Sequence, residues 1–268
     1  FNSMKIAFLT PEYPHTSTGK SGGIGTSIKN LASGLLQEDC KVIVLVYGQA
    51  RDAVFYDNNI EIHQIKNVKL KGLSWWLTRK KIEKIINHLF ESNSIDLIEA
   101  PDWTGITSFI RPKKCPVVIR LNGSDTYFCH LDSRPVKWVN KFHEKRALQQ
   151  AGGLISVSKF TAEITNSIFN FSKKFTIIPN SIDATLFNDT GNSTPKDQTV
   201  LYFGTLIRKK GLLELPLIFN ALIQLNPNAK LLIVGGDARD VITGSESTWA
   251  LMQSLFSEKA LKGVTYMG

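Results

Sequence analysis

Apolar residues fall in short runs along this chain, and the period of the runs changes regularly. Lys5 to Thr10 reads as a buried strand ending in a Pro- and Gly-rich loop, and from Ile24 a helical spacing runs through Leu31, Leu35 and Leu36. Val42 to Val46 predicts a second buried strand, Ile60 to Ile65 alternates as a partly exposed one, and Trp75 to Phe90 has the period of a long amphipathic helix. Further strands are expected at Leu97-Ile98, Val117 to Leu121, Leu154 to Val157 and Phe175 to Ile178, with helical patterns between them. Strands alternating with helices predict a parallel, doubly wound sheet, in which ligands bind beyond the carboxyl ends of the strands.

The rhythm pauses over residues 188–198, a polar stretch rich in Gly, Pro, Asn and Ser, which reads as a linker. It then restarts: Val200 to Phe203 as a strand, Leu212 to Leu225 as a helix, Leu231 to Val234 as a strand, Thr248 to Phe256 as a helix and Val264 to Met267 as a strand. The expected division is an N-terminal Rossmann-like domain over 4–187, the linker over 188–198, and a second domain beginning at 199 and running to 268. Phe1-Asn2-Ser3, ahead of Met4-Lys5, reads as a cloning remnant. Three strands with two complete crossovers are few for a parallel sheet that must be covered on both faces, so the second domain is expected to be incomplete.

Composition narrows the class. The apolar fraction (43%) and charged fraction (21%) are those of a globular protein, and no apolar run approaches the roughly 20 residues that span a bilayer. With no signal-peptide core visible, residence in the cytoplasm is expected. Cys40, Cys115 and Cys129 are scattered and lack a zinc spacing, which predicts reduced structural thiols. The net charge of +9 suits nucleic acid, anionic lipid headgroups or a phosphate-bearing small molecule. One basic cluster, Arg79-Lys80-Lys81, lies opposite the apolar face of the Trp75 to Phe90 helix; it reads as a solvated face or, with Trp75 and Trp76, as a patch facing a membrane or an acceptor.

Two loops bear on chemistry. Gly19-Lys20-Ser21-Gly22-Gly23-Ile24-Gly25 follows the first strand and opens the first helix, where backbone amides can meet an anion. A dinucleotide fingerprint is disfavoured, because Ile28 stands where close helix packing wants a small residue and Val46-Tyr47-Gly48 lacks the ribose-binding acid; a plain glycine-rich turn is the other reading. After the linker, Phe203-Gly204-Thr205-Leu206-Ile207-Arg208-Lys209-Lys210-Gly211 places a glycine at a strand end and cations just before a helix. Such a loop fits a diphosphate, or else is simply a solvated basic loop.

The order of these motifs resembles the large retaining GT-B family of glycosyltransferases, family four. The resemblance rests on the Gly22-Gly23 loop, Arg120-Leu121-Asn122-Gly123-Ser124-Asp125, Glu144-Lys145 leading to Ala151-Gly152-Gly153, Ile177-Ile178-Pro179-Asn180-Ser181-Ile182-Asp183, and Phe203-Gly204 with Lys210-Gly211. It implies two Rossmann-like domains facing a cleft, with a UDP- or GDP-linked sugar donor between them and a glycan or lipid-linked acceptor held mainly by the first. Phosphates would be held by Gly204, Arg208 and Lys210 and by the amides of Gly22 and Gly23. Lys210 matches the family's phosphate-binding lysine, while Thr205 stands where many members have arginine, which leaves the second charge to Arg208. Asn122 replaces a histidine common in relatives, removing a titratable group but keeping a hydrogen-bonding side chain. Asp125 matches the acidic member of the same pattern, and Asp102, at a strand end, is placed to orient an acceptor hydroxyl or to serve as a cap or turn residue.

The resemblance implies front-face transfer, in which the leaving diphosphate takes the acceptor proton and the protein supplies positioning and cations. Aspartate pairs of the metal-dependent transferases are missing from the sequence, so no metal and no other cofactor are expected. Partners would be the nucleotide sugar, the acceptor and a peripheral anionic membrane at the inner face, without nucleic acid. Relatives have a glutamate pair beyond the strand matched by Val264 to Met267, so this chain is expected to be truncated, with weak donor binding and little turnover. Two other functions fit the same pattern: a non-catalytic glycan- or membrane-surface-binding module, and a sugar-nucleotide epimerase.

Overall fold

The computed structural model describes residues 3–19, 21–185, 187 and 198–268. The chain forms two compact units, Phe1–Phe187 and Asn188–Gly268. Residues 188–197 of the expected linker, and Phe1 and Asn2 of the expected remnant, lie outside the described residues.

The first unit runs β1 (Lys5–Thr10), α1 (Gly23–Gln37), β2 (Lys41–Gln49), β3 (Ala53–Asp57), β4 (Ile60–Lys66), α2 (Ser74–Glu91), β5 (Leu97–Pro101), a 3-10 segment Trp103–Phe109, β6 (Val117–Leu121), α3 (Asp125–Leu131), α4 (Trp138–Gln150), β7 (Gly153–Ser156), α5 (Lys159–Phe169) and β8 (Thr176–Ile177). These strands form one sheet in the order β3-β4-β2-β1-β5-β6-β7-β8. Period-two alternation sends successive side chains to opposite faces. Ala7, Leu9, Ile43 and Leu45 therefore pack with Ile82, Ile86 and Leu89 of α2. Phe8, Val42, Val44 and Val46 pack with Ile28 and Ala32 of α1 on the other side. Burial on both faces explains why β2 reads as an unbroken apolar run rather than an alternating one.

Two features differ from the expectation. The sheet is not wholly parallel, because β3 pairs antiparallel with β4. The two strands are joined through Asn58 and Asn59, both at positive φ (47° and 66°), the conformation a tight hairpin turn demands. The Asn-Asn pair is the signal that could have announced it. As a result β4 is an interior strand, with Ile60, Ile62 and Ile65 buried, and the exposed edge is β3, with Val54 and Tyr56 outward.

The second unit contains β9 (Thr199–Phe203), a 3-10 turn Arg208–Lys210, α6 (Glu214–Leu225), β10 (Lys230–Val234), α7 (Thr248–Leu255), α8 (Glu258–Leu261) and β11 (Val264–Tyr266). Its strands are parallel, in the order β11-β10-β9. Leu231 and Ile233 of β10 pack with Phe219 and Ile223 of α6 and with Met252 of α7.

Candidate active site

Strand order turns about β1, which has β2 on one side and β5 on the other. Chains leaving the carboxyl ends of β1 and β5 diverge to opposite faces, which opens a crevice. A pocket there is lined by Ser27 and Ile28 of α1, Glu99 and Pro101 of β5, Arg120 of β6, and Asn122.

The wall of this pocket is built by a buried ion pair. Arg120 donates to both carboxylate oxygens of Glu99 (Nε to Oε1 2.6 Å, Nη2 to Oε2 3.2 Å) and through Nη1 to the Ile178 carbonyl (3.2 Å). Both partners are nearly buried, so the bidentate geometry and the third acceptor are what make the pair tolerable.

Asp102 follows β5 directly. Its amide donates to the Arg120 carbonyl (3.1 Å), and its Oδ1 accepts from the Asn122 amide (2.9 Å). Asp102 is only 2% exposed, and burial foremost, with the nearby Glu144 charge adding to it, pushes its pKa up to about 7. Asn122 lies half-buried on the pocket edge, and its side-chain amide has no hydrogen-bond partner among the described residues. The chain then turns at Gly123 (φ 98°), where a Cβ would meet the Phe128 ring at 2.6 Å.

α3 starts beyond this turn and is capped twice. The Ser124 hydroxyl accepts from the Tyr127 amide (3.1 Å). Glu144 of α4, completely buried, accepts from the amides of Asp125 (3.0 Å) and Thr126 (3.1 Å) and from the Thr126 hydroxyl. The Asp125 carboxylate turns toward α4 and the loop before it, accepting from Asn140 Nδ2 (2.9 Å) and lying 3.8 Å from Arg134. Asp102, at the end of β5, is thus joined to the Asn122–Asp125 turn after β6, with the Asn122 side chain open to the pocket.

Gly22 is the N-cap of α1, and the helix begins at Gly23. The Glu12 carboxylate reaches this helix start: its Oε1 accepts from the Gly25 amide (3.0 Å) and lies 3.3 Å from where a Gly22 Cβ would sit, while Gly23 faces open space. One amide of the expected anion site is therefore already matched with a carboxylate of the chain itself.

In the second unit Gly204 follows β9 with φ 130°, and its amide donates to the Val234 carbonyl (2.9 Å). The Lys210 ammonium lies 3.2 Å from where a Gly204 Cβ would be, so the missing side chain makes room for it. Arg208 is directed elsewhere: Nε and Nη2 each donate to Asp240 at 2.8 Å. Asp240 is buried and also accepts from the Thr243 amide and hydroxyl, with Arg208 the main cause holding its pKa far below the usual carboxylate range.

Residues 21–186 match the family model described as Glycosyltransferase Family 4. The chain belongs to this family. Its fold is GT-B: it is similar to the catalytic domain of starch synthase IV from Arabidopsis thaliana bound to ADP and acarbose (TM-score 0.61, 15% identity, 99% of this chain and 74% of that one). It is similar as well to a UDP-forming α,α-trehalose-phosphate synthase from Burkholderia vietnamiensis (TM-score 0.60, 10% identity, 99% and 72%) and to MurG from Acinetobacter baumannii (TM-score 0.50, 15% identity, 98% and 68%). No curated protein matches the sequence.

For a family-four glycosyltransferase, the charged residues to which the sequence assigns no role are as informative as the expected site residues. Glu12, Glu99, Arg120 and Asp240 each hold a backbone segment or a charged side chain at a strand end. Glu144 is part of the motif that signalled the family, but its work as the buried acceptor of the Asp125 turn needs the α3–α4 packing to be seen. Arg120 alone had a visible signal, since an arginine inside an apolar strand requires a buried partner.

Proposed function

We propose that this glycosyltransferase moves a sugar, with retention of anomeric configuration, from a nucleoside-diphosphate sugar to a glycan or lipid-linked acceptor. The observation that carries this reading is the Lys210 ammonium held beside the side-chain-free Gly204 at the end of β9, a cation without a carboxylate partner among the described residues. Such a group suits a diphosphate leaving group, whose growing charge it stabilises. The ADP bound to the starch synthase and the UDP formed by the trehalose-phosphate synthase support a nucleoside diphosphate as that leaving group.

On the acceptor side, the half-buried Asn122 side-chain amide offers a donor and an acceptor to a hydroxyl-rich ligand, and the Glu99–Arg120 pair beneath it holds the strand ends in place. Asp102 acts through Asn122 by fixing its backbone, and Asp125 acts through Asn140. The acceptor proton passes to the departing diphosphate, so no side-chain base is required, and transfer is expected to be unaffected by chelation of divalent metal.

Thermal-shift titration with UDP, GDP and ADP tests the reading. A nucleotide-dependent rise in melting temperature that Lys210→Ala removes is the expected result. An unchanged shift in Lys210→Ala sinks the phosphate-loop assignment, and an inverted anomeric configuration in the product, read by NMR, sinks retention.

A further inference from the structure

The start of α2 and the second turn of α4 meet across the Trp103–Phe109 segment in an aromatic cluster outside the pocket. Trp75 lies 5.4 Å from Phe109 and from His143, and Phe142 lies 6.4 Å from Phe109 and 5.4 Å from His143, measured between ring centroids. The cluster is anchored on its inner side. Buried Arg79 sits 5.5 Å from the Trp75 ring and donates to the carbonyls of Trp75, Gly105 and Ile106, while Arg146 lies 4.4 Å over Phe109.

Its outer side is exposed. Trp138 is 77% and Phe142 47% exposed on α4, beside Val139, and on the α2 side Trp75, Trp76, Leu70 and Leu73 are all exposed. Large apolar side chains in such a group are unusual on a free surface. Basic residues crowd this surface, and while Lys80, Lys81 and Arg134 are paired with Glu83, Asp52 and Asp132, others are not. Residues 66–82 contain six Lys and Arg and residues 133–143 contain three, and neither segment has an Asp or Glu. Lys69, Lys71, Lys137 and Lys141 are exposed and have no carboxylate partner among the described residues.

We propose that this ridge docks on an anionic lipid bilayer, with Trp76, Trp138 and Phe142 entering the headgroup region and the four lysines meeting lipid phosphates. Tryptophan and leucine flanked by lysine suit the interface between headgroup and acyl chain, where the rings find an apolar side and the ammonium groups an anionic one. A soluble glycan is matched less well, because aliphatic Leu70, Leu73 and Val139 offer it no hydrogen bond and the carboxylates that bind sugar hydroxyls are missing from both segments. The proposal is independent of sugar transfer, since its readout is partition rather than turnover.

Flotation of the 268-residue protein with phosphatidylcholine vesicles, with and without phosphatidylglycerol, tests it. Co-flotation is expected with the anionic vesicles only, together with a blue shift of tryptophan emission, and both should be lost at high salt. Lys137→Gln with Lys141→Gln should weaken partition about 25-fold, from about five-fold per lysine. Trp138→Ser with Phe142→Ser should also lower it, while Lys259→Gln with Lys262→Gln, exposed on the second unit, should bind as the parent does. Circular dichroism checks that each variant is folded. Absence of partition, partition indifferent to lipid charge, equal binding by the Lys137/Lys141 variant, or self-association that buries the ridge without lipid would each overturn the proposal.

Discussion

Replacing Glu144 by Ala tests whether a single buried carboxylate sets the turn that presents Asn122. In the parent its oxygens accept from the amides of Asp125 and Thr126 and from the Thr126 hydroxyl, and water does not reach the side chain. The hydroxyl can rotate to another acceptor, but the two amides cannot. Each buried donor left unmade costs about 1–3 kcal/mol, giving about 2–6 kcal/mol for the pair. Part of that is offset, because burial raises the Glu144 pKa and the ionised group is itself costly to keep. A net loss of about 3 kcal/mol is expected, which at a urea slope of about 3 kcal/mol/M lowers the unfolding midpoint by about 1 M. Glu144→Gln, which keeps one acceptor oxygen, should fall between the two. Hydrogen exchange gives the local readout: the amides of Asp125 and Thr126 should lose protection in the Ala variant while β2 keeps its own. A midpoint within 0.2 M of the parent, or unchanged protection at those amides, would refute the assignment.

Three further outcomes follow from particular contacts. The Asp102 pKa, raised from 3.8 to about 7 by burial, means that the folded state retains a proton the unfolded chain releases; this contribution is therefore full below pH 4 and is lost as pH rises to about 7. Asp102→Asn, which keeps the acceptor for the Asn122 amide, should flatten the decline in urea midpoint between pH 5 and pH 8, and an equally steep decline in the variant would show that another group is responsible. Arg208→Ala leaves Asp240 buried without its bidentate partner and should cost about 2 kcal/mol, whereas Lys210→Ala should cost less than about 0.5 kcal/mol; thermal unfolding of the two variants separates these roles. Gly105 has φ 57°, and a Cβ there would lie 2.3 Å from the backbone of His143. Gly105→Ala should lower the melting temperature by about 6–12 °C, for about 3 kcal/mol of strain and displaced α4 packing, and a melting point within 2 °C of the parent would show that α4 can move aside.

Much of the architecture is legible in hydrophobic period alone. Val42 to Val46, buried on both faces, can only be an interior strand of a layered sheet, and the helical spacing from Ile24 and from Trp75 names the two helices that cover it. The family is legible because its motifs sit in loops after strands, where residue identity is constrained by backbone geometry. Gly123 and Gly204 are examples, each at a positive φ with a side chain packed into the space a Cβ would take. Strand β3 was not legible from alternation, because an edge strand with Val54 and Tyr56 facing outward inverts the expected pattern.

The sequence by itself determined the alternation of strand and helix, the family, and which residues stand at strand ends. Only the tertiary structure decided what those residues do there. Asp102, Asp125 and Arg208 read alike as charged residues in loops, yet Asp102 is buried against the Asn122 amide, Asp125 is held by Asn140, and Arg208 is locked to Asp240, 32 positions away. The reason is physical: period and propensity act between neighbours in the chain, whereas a charge's desolvation and its partner are fixed only when distant elements pack together.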